Sequence, residues 1–350
     1  MDIHTVDDPN FSVEDVVKAH MQDLAIQDRF GVTQLKYWVN EHANTIFCLM
    51  KGPNKEACNQ VHVESHGNTA CNIIEVSDNE YNLFMGIGTE VNDLAKTHEG
   101  ELDTGYRTLM QVNFLSLSGD QNELSAQVLK AIEEHDGVIV LDPSNELMAS
   151  FIYANDAMLC ANRIQGIFET IYSNVVSNIS ISCGRPVDEE GSTMFEETKK
   201  RIQAMASTGL TGQIMLDNEV CLLAEKEVSI EKADRNGFRI LFEEDVALAI
   251  EVRELFDKHL TQPGFQSKDL EARLGLSKSQ VYRKMKHLCD QAPNQLIQEA
   301  RLQVAINDLA LGNKNVSEVA YEAGYNSPTY FTRAFKKRFD LSPTAFVKLF

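Results

Sequence analysis

Three histidines in the first seventy residues have the spacing expected of metal ligands. His62 and His66 stand four residues apart in a stretch of helical periodicity, so both imidazoles would lie on one helix face, close enough to bind one metal ion. His20 and Asp23, on a second predicted helix, are candidates for further ligands. Imidazole-rich sites suit nickel, zinc, copper or cobalt, and the sequence does not choose among them. The alternative is structural, with His62 and His66 capping a helix end near Gly67.

A different chemistry is predicted near the C-terminus, where two basic helices carry side chains suited to DNA. The stretch SKSQVYRKMKHLC begins at Ser277, and SPTYFTRAFKKRF begins at Ser327. Helical spacing gives the first an inner face of Val281, Met285 and Leu288, and the second an apolar side of Tyr330, Phe331, Ala334, Phe335 and Phe339. The remaining side chains are the candidate DNA contacts: Lys278, Ser279, Tyr282, Arg283, Lys286, Ser327, Thr329, Thr332, Arg333, Lys336 and Lys337.

Each basic helix follows a shorter helix and a glycine. Ser267–Leu274 precedes Gly275, and Val316–Ala323 precedes Gly324. A glycine can take the left-handed conformation that ends a helix, and a serine can then cap the next one. This is the helix-turn-helix pattern, in which the second helix enters the major groove of DNA.

A longer helix is predicted between the two pairs, over Pro293–Leu311, with Leu296, Ala300, Val304 and Leu311 along one side. Its 19 residues would span about 28 Å at about 1.5 Å per residue. That length is close to the ~34 Å repeat of the duplex. A rigid connection of this length would place two recognition helices in successive major grooves on one face of the DNA.

The distribution of charge resolves an apparent conflict with DNA binding. The whole chain carries a net charge of −20, but residues 1–240 hold 17 Lys and Arg against 38 Asp and Glu, a balance of −21. Residues 264–350 hold 13 Lys and Arg against 8 Asp and Glu, a balance of +5. The positive charge is concentrated where phosphate binding is predicted, and the acidic bulk should face away from DNA.

The overall composition is that of a water-soluble, intracellular protein. The chain of 350 residues is 43% hydrophobic, and it contains no apolar run long enough to span a membrane. Its acidic N-terminus lacks the apolar core of a signal peptide. The seven cysteines form no CxxC pair and are expected to be reduced thiols, mostly buried. We expect a cytoplasmic location and no contact with membranes.

The first ninety residues predict a small α+β unit. Ser12 is a plausible N-cap for a helix that runs to about Phe30 and stops at Gly31. The remaining elements are strands over Gln34–Asn40 and Asn44–Lys51, a helix over Asn54–Gly67 and a strand over Ile73–Val76. These five elements make an order similar to β-α-β-β-α-β, although no first strand is assigned, and this order suggests a ferredoxin-like unit. The polar stretch 91–105 is predicted to be a linker.

The middle of the chain alternates strands and helices. Strands are predicted over Tyr106–Leu117, Gly137–Leu141, Leu147–Phe151 and Asn178–Gly184, and helices over Asp120–His135, Asn155–Tyr172 and Met194–Ser207. A charged stretch, Ala224–Asp245, leads into the last segment, where the apolar residues recur throughout with helical spacing. The chain is therefore expected to hold three domains.

Residues 245–350 resemble the DNA-binding domain of the AraC/XylS family of bacterial activators. The residues that carry this resemblance are Leu270, Leu274-Gly275-Leu276-Ser277, Arg301-Leu302 and the stretch VSEVAYEAGYNSPTYFTRAFKKRFDLSP over 316–343. Asp340 stands where the family usually has glycine, and Phe346-Val347 where Tyr-Arg is common. The resemblance implies two helix-turn-helix units, with double-stranded DNA and RNA polymerase as partners. A helical bundle with a solvated basic face is the alternative.

Residues 106–225 resemble class III nucleotide cyclases, through RTLMQVNF (107–114), HDGVIVLDPSNELMASF (135–151), ISCGRPVDEEG (181–191) and RIQAMASTGLTGQIMLDNEV (201–220). That family uses two aspartates to hold two metal ions, and their positions fall here at Asn113 and Asn145. The base-selecting lysine position falls at Leu141, a phosphate-binding arginine at Arg201, and its partner asparagine at Glu197. A neutral amide holds a divalent cation less well than a carboxylate. We therefore expect a fold kept for sensing or dimerisation, without catalysis.

Residues 1–80 resemble small ferredoxin-like proteins, one of which binds nickel. The carriers are VEDVVKAHMQDLAIQDRFGVTQLKYWVNE (13–41), IFCLMKGPNKEAC (46–58) and VHVESHGNTACNIIEV (61–76). This resemblance does not settle a function, and the expectation of a divalent metal, nickel or zinc, at His20, His62 and His66 depends on the spacing of these histidines. Cys48 is expected to be core rather than ligand, and His4, His42 and His98 show no partner pattern.

Together these features predict a multidomain α+β protein. A ferredoxin-like domain over 1–90 would precede a degenerate cyclase-like α/β domain over 104–228 and an all-α double helix-turn-helix domain over 243–350. The expected function is that of a sequence-specific transcription regulator with no enzyme activity. Its effector would be a small molecule or a metal, and the cyclase resemblance implies a homodimer. The alternatives are a DNA-tethered nucleotide cyclase and a metal-binding sensor protein.

Overall fold

The computed structural model describes residues 1–8, 11–85, 93–141, 146–170, 174–208, 212–227 and 237–349. It contains two β-sheets, each with helices, followed by a helical segment. We refer to these parts as the N-terminal, middle and C-terminal units.

The N-terminal unit contains a five-stranded sheet with strand order β4-β1-β3-β2-β5. Its strands are β1 (Asp2–Thr5), β2 (Thr33–Asn40), β3 (Thr45–Lys51), β4 (Asn72–Ile73) and β5 (Asp93–Leu94), and its helices are α1 (Val13–Ile26), α2 (Lys55–His66) and α3 (Asp78–Met85). Ser12 caps α1 by accepting from the amide of Asp15, as predicted. A short 3-10 turn after α1 ends at Gly31, and α2 ends at Gly67, both at positive φ. The first four strands have the β-α-β-β-α-β order predicted for a ferredoxin-like unit.

Both faces of this N-terminal sheet are covered, which explains why its strands are almost continuously buried. Side chains alternate between the two faces of a strand. On one face, Tyr37 and Cys48 pack with Val16 of α1. On the other, Ile3 and Phe47 belong to a hydrophobic core shared with the middle unit.

The predicted linker over 91–105 is wrong, because most of it is folded. Residues 93–94 form β5, which pairs with β2 in parallel, and Lys96 bridges to Leu102. Asp103 is buried and accepts hydrogen bonds from the guanidinium of Arg107 and from the indole of Trp38. Polar composition was misleading because the buried aspartate is balanced by a buried arginine.

The middle unit is built on a six-stranded sheet with order β11-β10-β9-β6-β8-β7. Its strands are β6 (Arg107–Ser116), β7 (Val138–Leu141), β8 (Glu146–Phe151), β9 (Val175–Gly184), β10 (Ile214–Asp217) and β11 (Phe238–Leu241). Its helices are α4 (Gln121–Glu133), α5 (Ala154–Thr170), α6 (Glu196–Thr208) and α7 (Asn218–Glu227). The inner order β9-β6-β8-β7 repeats the strand arrangement of the N-terminal unit.

Three of these elements differ from the sequence prediction. The strand β10 and the helix α7 were not predicted, and the charged stretch Ala224–Asp245 contains the strand β11, which pairs with β10 in parallel. The four-residue β11 is too short to show a period, so only its pairing partner defines it as a strand.

The C-terminal unit is entirely helical. It contains α8 (Glu243–His259), α9 (Ser267–Leu274), α10 (Lys278–Cys289), α11 (Pro293–Leu311), α12 (Val316–Glu322), α13 (Pro328–Phe339) and α14 (Pro343–Phe346). It is attached to the middle unit through α8, whose Val246, Ala249 and Val252 share a buried core with Ile202 and Met205 of α6. The C-terminal helices are therefore not suspended on a flexible tether.

Two further properties bear on function. None of the helices in the described ranges is both long enough and apolar enough to cross a membrane. All seven cysteines are free, and every one except Cys71 is buried, as expected for reduced thiols.

Candidate functional sites

The first helix-turn-helix unit consists of α9 and α10. The glycine between them, Gly275, has a φ of 65°, the left-handed conformation predicted for the turn. Ser277 caps α10 by accepting from the amide of Gln280, whose side chain accepts in return from the amide of Ser277. This reciprocal capping fixes where the helix begins. Val281, Met285 and Leu288 are buried, which confirms the predicted inner face.

The second unit consists of α12 and α13, with Gly324 at a φ of 84° in the turn. Ser327 caps α13, and Pro328 occupies the first turn, where no amide hydrogen is required. Phe331, Ala334, Phe335 and Phe339 are buried as predicted. Tyr330 was wrongly assigned to this apolar side and is 57% exposed. Tyr330 precedes Phe331 by one residue, so its side chain lies about 100° around the helix from that of Phe331, away from the buried stripe.

The predicted DNA contacts divide into two groups by exposure. Lys278, Ser279, Tyr282, Arg283, Thr329, Arg333, Lys336 and Lys337 are exposed. The other three are half-buried and have local partners. The ammonium of Lys286 donates to the carbonyl of Asp290, the hydroxyl of Thr332 donates to the carbonyl of Pro328, and Ser327 caps its helix.

The connecting helix α11 is fixed to the segment that follows α8. The guanidinium of Arg301 donates to the carbonyl oxygens of Leu260, Gln262 and Phe265, at 2.9, 2.8 and 3.1 Å. Leu296 is buried, but Leu311 is 69% exposed, so the predicted apolar side does not extend to the end of the helix. These bonds hold α11 in one orientation between the two helix-turn-helix units.

The N-terminal unit gathers potential metal ligands into one cluster. We call it the N-terminal cluster, and it comprises Asp2, His4, Asp23, Cys48, His62 and His66. The ligand atoms of Asp2, His4, Cys48 and His62 lie within 4.8 Å of one another, as do those of Asp23, His62 and His66. His62 belongs to both groups. Its Nε2 lies 3.1 Å from Asp2 Oδ2, and its Nδ1 lies 2.9 Å from Asp23 Oδ2.

The electrostatics of this cluster follow from a buried imidazole between two carboxylates. Burial alone would lower the pKa of His62, but hydrogen bonds to Asp2 and Asp23 raise it to about 10. Burial also opposes ionisation of Asp2, yet His4 and His62 hold its pKa well below the usual range. Without a metal ion, His62 is therefore an imidazolium that bridges two carboxylates.

The donor set also fits a divalent metal of the nickel or zinc type, since it combines imidazole, carboxylate and thiol groups. His4 supports this fit, because its buried Nε2 makes no hydrogen bond and lies 3.6 Å from Asp2 Oδ2. Burial and the nearby carboxylates raise the pKa of the Cys48 thiol well above its ordinary value. Metal binding at this cluster would have to displace protons from His62 and, for sulfur ligation, from Cys48.

His20 lies near this cluster but outside both groups of ligand atoms. It is buried and stacks on Tyr37 with ring centroids 4.1 Å apart. It does line the same cavity of about 420 Å³ as His62 and His66.

Sequence reasoning missed Asp2 and took His4 and Cys48 as unrelated to the site, although Asp2 pairs with Cys48 in register between β1 and β3.

In the middle unit, two positions implied by the cyclase resemblance, Asn113 and Arg201, make bonds within the protein. Asn113 on β6 accepts from the side chain of Gln111 and donates to that of Asn178, both at 3.1 Å. Asn145 lies outside the described residues. Arg201 is buried, donates to both carboxylate oxygens of Glu243 at 2.9 and 3.0 Å, and contacts Asp217 at 3.3 Å. Its charge is therefore satisfied within the protein, by a residue of α8 in particular.

Two family matches cover the two ends of the chain. Residues 270–348 match the family described as a helix-turn-helix domain. Residues 1–76 match the family described as nickel responsive protein SCO4226-like.

Individual relatives show the same division. The HTH-type transcriptional regulator AdiY of Escherichia coli K12 is 37% identical over 54 residues, which is 15% of this chain and 21% of AdiY. The solved structure of SCO4226 from Streptomyces coelicolor A3(2) is 33% identical and covers 21% of this chain and 90% of that one, with a TM-score of 0.20. The solved DNA-binding domain of AdpA, described as a global transcriptional factor in complex with a target DNA, is 28% identical. It covers 28% of this chain and 87% of that one, with a TM-score of 0.27.

The curated relatives match only part of their own length, between 7% and 45%. The similarity is therefore one of domains. Residues 270–348 belong to the AraC-type helix-turn-helix domains, and residues 1–76 belong to the nickel-responsive SCO4226-like domains.

Proposed function

We propose that this protein is a sequence-specific DNA-binding regulator of transcription that reads DNA through α10 and α13. The observation that carries the proposal is the pair of capped helix-turn-helix units, each exposing basic side chains from its second helix. A helix presented in this way enters the major groove. The match of residues 270–348 to helix-turn-helix domains supports the same function.

The geometry of α11 supports binding to two successive major grooves. The helix has 19 residues, Pro293–Leu311, and therefore spans about 28 Å at about 1.5 Å per residue. Because Arg301 ties it to the carbonyls after α8, the two recognition helices keep one spacing. A binding site made of two segments about one duplex turn apart follows from this arrangement.

The middle unit is proposed to serve as a non-catalytic scaffold of cyclase-like fold. Its strand order is compatible with that fold, while the neutral amide of Asn113 would hold a divalent cation less well than a carboxylate. The cyclase resemblance implies that Arg201 contacts phosphates, but its guanidinium forms ion pairs with Glu243 and Asp217. The side of β6 that carries Asn113 faces α8 and α11 across a cavity. The cyclase resemblance implies a dimer that builds the site around Asn113 between two chains. Because α8 and α11 cover that side of the sheet, a homodimer of this protein would use another surface.

The N-terminal cluster is proposed as the input site, where nickel or zinc acts as the effector. Asp2, His4, Cys48 and His62 are the residues that would hold the ion, with His62 binding through Nε2. Asp23 would orient this imidazole by accepting from its Nδ1, and His66 lies beside Asp23. A bound divalent ion would supply positive charge that replaces the proton charge of His62 between the carboxylates. Ile3, between Asp2 and His4 on β1, packs in the core shared with the middle unit. A shift of β1 on metal binding would therefore change the packing of that core.

The test is a fluorescence-anisotropy titration of the full chain against random and selected DNA, at several salt concentrations and with and without nickel. Tight binding with a preferred sequence, which weakens steeply as salt rises, is the expected result. The full chain of the double variant Arg283→Ala/Arg333→Ala is the matched control and should lose the preference. Absence of sequence preference in every condition contradicts the proposal. RNA polymerase is the proposed partner on bound DNA, and recruitment is measured on the selected site.

A further inference from the structure

A cavity of about 470 Å³ lies between the middle and C-terminal units. Its floor is formed by the middle unit, from β6, β8, β9 and α6, and its roof by α8, the residues that follow it, and α11. This volume is within the usual range for small-molecule sites. The cavity is separate from the N-terminal cluster, with which it shares no lining residue.

The floor presents hydrogen-bond acceptors whose orientation is fixed. The side-chain amide of Gln111 donates to Asn113 Oδ1 at 3.1 Å and to the carboxylate of Glu146 at 3.0 Å. Since a carboxylate only accepts, this sets which end of the Gln111 amide is nitrogen. The side-chain amide of Asn113 donates to Asn178 Oδ1, and the side-chain amide of Asn178 donates to the carbonyl of Ala206. Gln111 uses both of its amide hydrogens in this ladder, and Asn113 and Asn178 each use one.

One acceptor of the ladder has no partner. Gln111 is only 3% exposed and lines the cavity, and its Oε1 makes no hydrogen bond. A buried acceptor without a donor costs free energy, so such groups are normally satisfied by protein, water or ligand. Gln111 Oε1 is therefore a position where a bound molecule would gain by donating a hydrogen bond.

The charges of the lining argue against an anionic ligand. Arg253 is the one cationic side chain in the described lining, and it is held by both carboxylate oxygens of Asp257 at 2.8 and 3.0 Å. Glu146 adds a further negative charge on the floor. Phe256, Leu260 and Val304 supply apolar surface on the roof. Because Asp257 balances the charge of Arg253 and Glu146 adds another negative charge, the described lining disfavours a carboxylate or phosphate. A planar group with N–H donors would find both acceptors and apolar contact.

We propose that this cavity binds a small, planar, uncharged molecule that donates N–H hydrogen bonds, of the amide or amino-heterocycle class, through Gln111. Such a molecule would contact β6 and α11 together and stabilise the arrangement in which the C-terminal unit is docked on the middle unit. The regulatory consequence rests on the proposed DNA-binding function, because α11 sets the spacing of α10 and α13. Binding itself does not depend on that function.

The test compares two neutral probes, of which one alone can donate a hydrogen bond. Benzamide carries an N–H donor, and methyl benzoate has the same ring and carbonyl without it. Ligand-observed NMR titrations of the full chain should show methyl benzoate binding about tenfold more weakly, because it leaves Gln111 Oε1 unsatisfied. In Gln111→Leu this preference should disappear while methyl benzoate binding remains. Equal binding of both probes to the native chain, or no binding of either, overturns the proposal.

Two variants of α11 test the same cavity without changing Gln111, so the test stands even if Gln111→Leu does not fold. Val304→Phe fills the cavity from the roof and should abolish binding of both probes. Leu311→Phe makes a similar change on the exposed end of the same helix and should leave binding unchanged. Loss of binding in Leu311→Phe, or its retention in Val304→Phe, places the probes elsewhere and contradicts the assignment.

DNA affinity measured by anisotropy, with and without saturating benzamide, separates the site from its regulatory role. A shift of about threefold or more in the native chain, absent in Val304→Phe, is expected for a coupling of the usual size. If benzamide binds but DNA affinity is unchanged, the regulatory part is wrong and the site stands. If the native chain binds no DNA in any condition, the proposed function fails, while the probe titrations still decide the site.

Discussion

Arg283 and Arg333 occupy the same position in the two helix-turn-helix units. Each stands six residues after the serine that caps its helix, Ser277 for α10 and Ser327 for α13, and both are exposed. Lys286 and Lys336 are likewise related, nine residues after their caps. Because the caps fix where each helix begins, the same positions of both helices would face the DNA.

Arg333→Ala is expected to weaken binding to the selected DNA by about 1–3 kcal/mol and to relax preference in one segment of the site. Arg283→Ala should do the same in a second segment, about one duplex turn, or ~10 base pairs, away. An arginine that pairs with a base edge loses both its bond and its selectivity when it is removed. Binding-site selection and anisotropy titrations on each variant measure these two effects.

Lys130→Ala is the matched control for these charge changes, since Lys130 is exposed on α4 of the middle unit and pairs with Glu134. It removes one positive charge without touching either recognition helix. Binding by this variant should equal that of the native chain. Unaltered affinity and preference in Arg333→Ala would show that α13 does not face the bases in the proposed orientation.

Asp23→Asn is expected to weaken nickel binding by about 10–100-fold, as seen when the carboxylate partner of a metal-binding histidine is removed. Asp23 accepts from Nδ1 of His62 at 2.9 Å and from the hydroxyl of Ser65 at 2.5 Å, so it orients the imidazole that belongs to both ligand groups. Isothermal titration calorimetry on the full chain measures the change. His42→Ala alters an exposed histidine and should bind nickel as the native chain does. Native nickel affinity in Asp23→Asn would remove the N-terminal cluster as the input site.

The helix-turn-helix units could be predicted closely because their determinants are local. Caps, glycine turns and the apolar period all lie within a few residues of each other, as at Ser277 and Gly275. Tyr330 shows the limit, since a tyrosine beside an apolar stripe is readily assigned to it. Tyr330 lies one residue before Phe331 and therefore about 100° away from it around the helix. Counting helical positions strictly from Phe331 would have placed Tyr330 outside the buried stripe.

The N-terminal cluster could be predicted only in part, because half of it depends on contacts between distant strands. His62 and His66 share a helix turn and were identified from their spacing, whereas Asp2 meets His62 across 60 residues of sequence. The signal available was the alternation of Asp2 and His4 on one face of β1. It could not be used without knowing that β1 pairs with β3 beside Cys48.

Asp103→Asn is expected to destabilise the fold at neutral pH by about 3 kcal/mol, because it leaves the buried charge of Arg107 without its counter-ion. Burial opposes ionisation of Asp103, but the bidentate guanidinium of Arg107 outweighs it and lowers the pKa of the carboxyl below its ordinary value. The ionised carboxylate therefore contributes stability above about pH 4, and this contribution is lost as the pH falls through the folded-state pKa.

Urea unfolding followed by the fluorescence of Trp38, the single tryptophan, measures this effect at pH 7 and pH 3. The indole of Trp38 donates to Asp103 at 3.2 Å, so the signal comes from the site itself. The native chain should lose more stability between these two pH values than Asp103→Asn does. Asp28→Asn changes an exposed aspartate and should follow the native chain. Equal acid sensitivity of the native chain and Asp103→Asn would contradict the assigned role of Asp103.

The native chain is expected to form no cyclic nucleotide from ATP or GTP with Mn²⁺, as measured by chromatography of the products. Asn113 offers a neutral amide already bonded to Gln111 and Asn178, and Arg201 is held by Glu243 and Asp217. Restoring carboxylates in Asn113→Asp/Asn145→Asp should also give no turnover, since the bond from Arg201 to Glu243 is unaffected by those changes. Adding Glu243→Gln to that variant removes one of the two carboxylates that hold Arg201 and leaves Asp217. Activity in the triple variant alone would show that Glu243 blocks the site, whereas activity in the native chain would refute the non-catalytic role proposed for the middle unit.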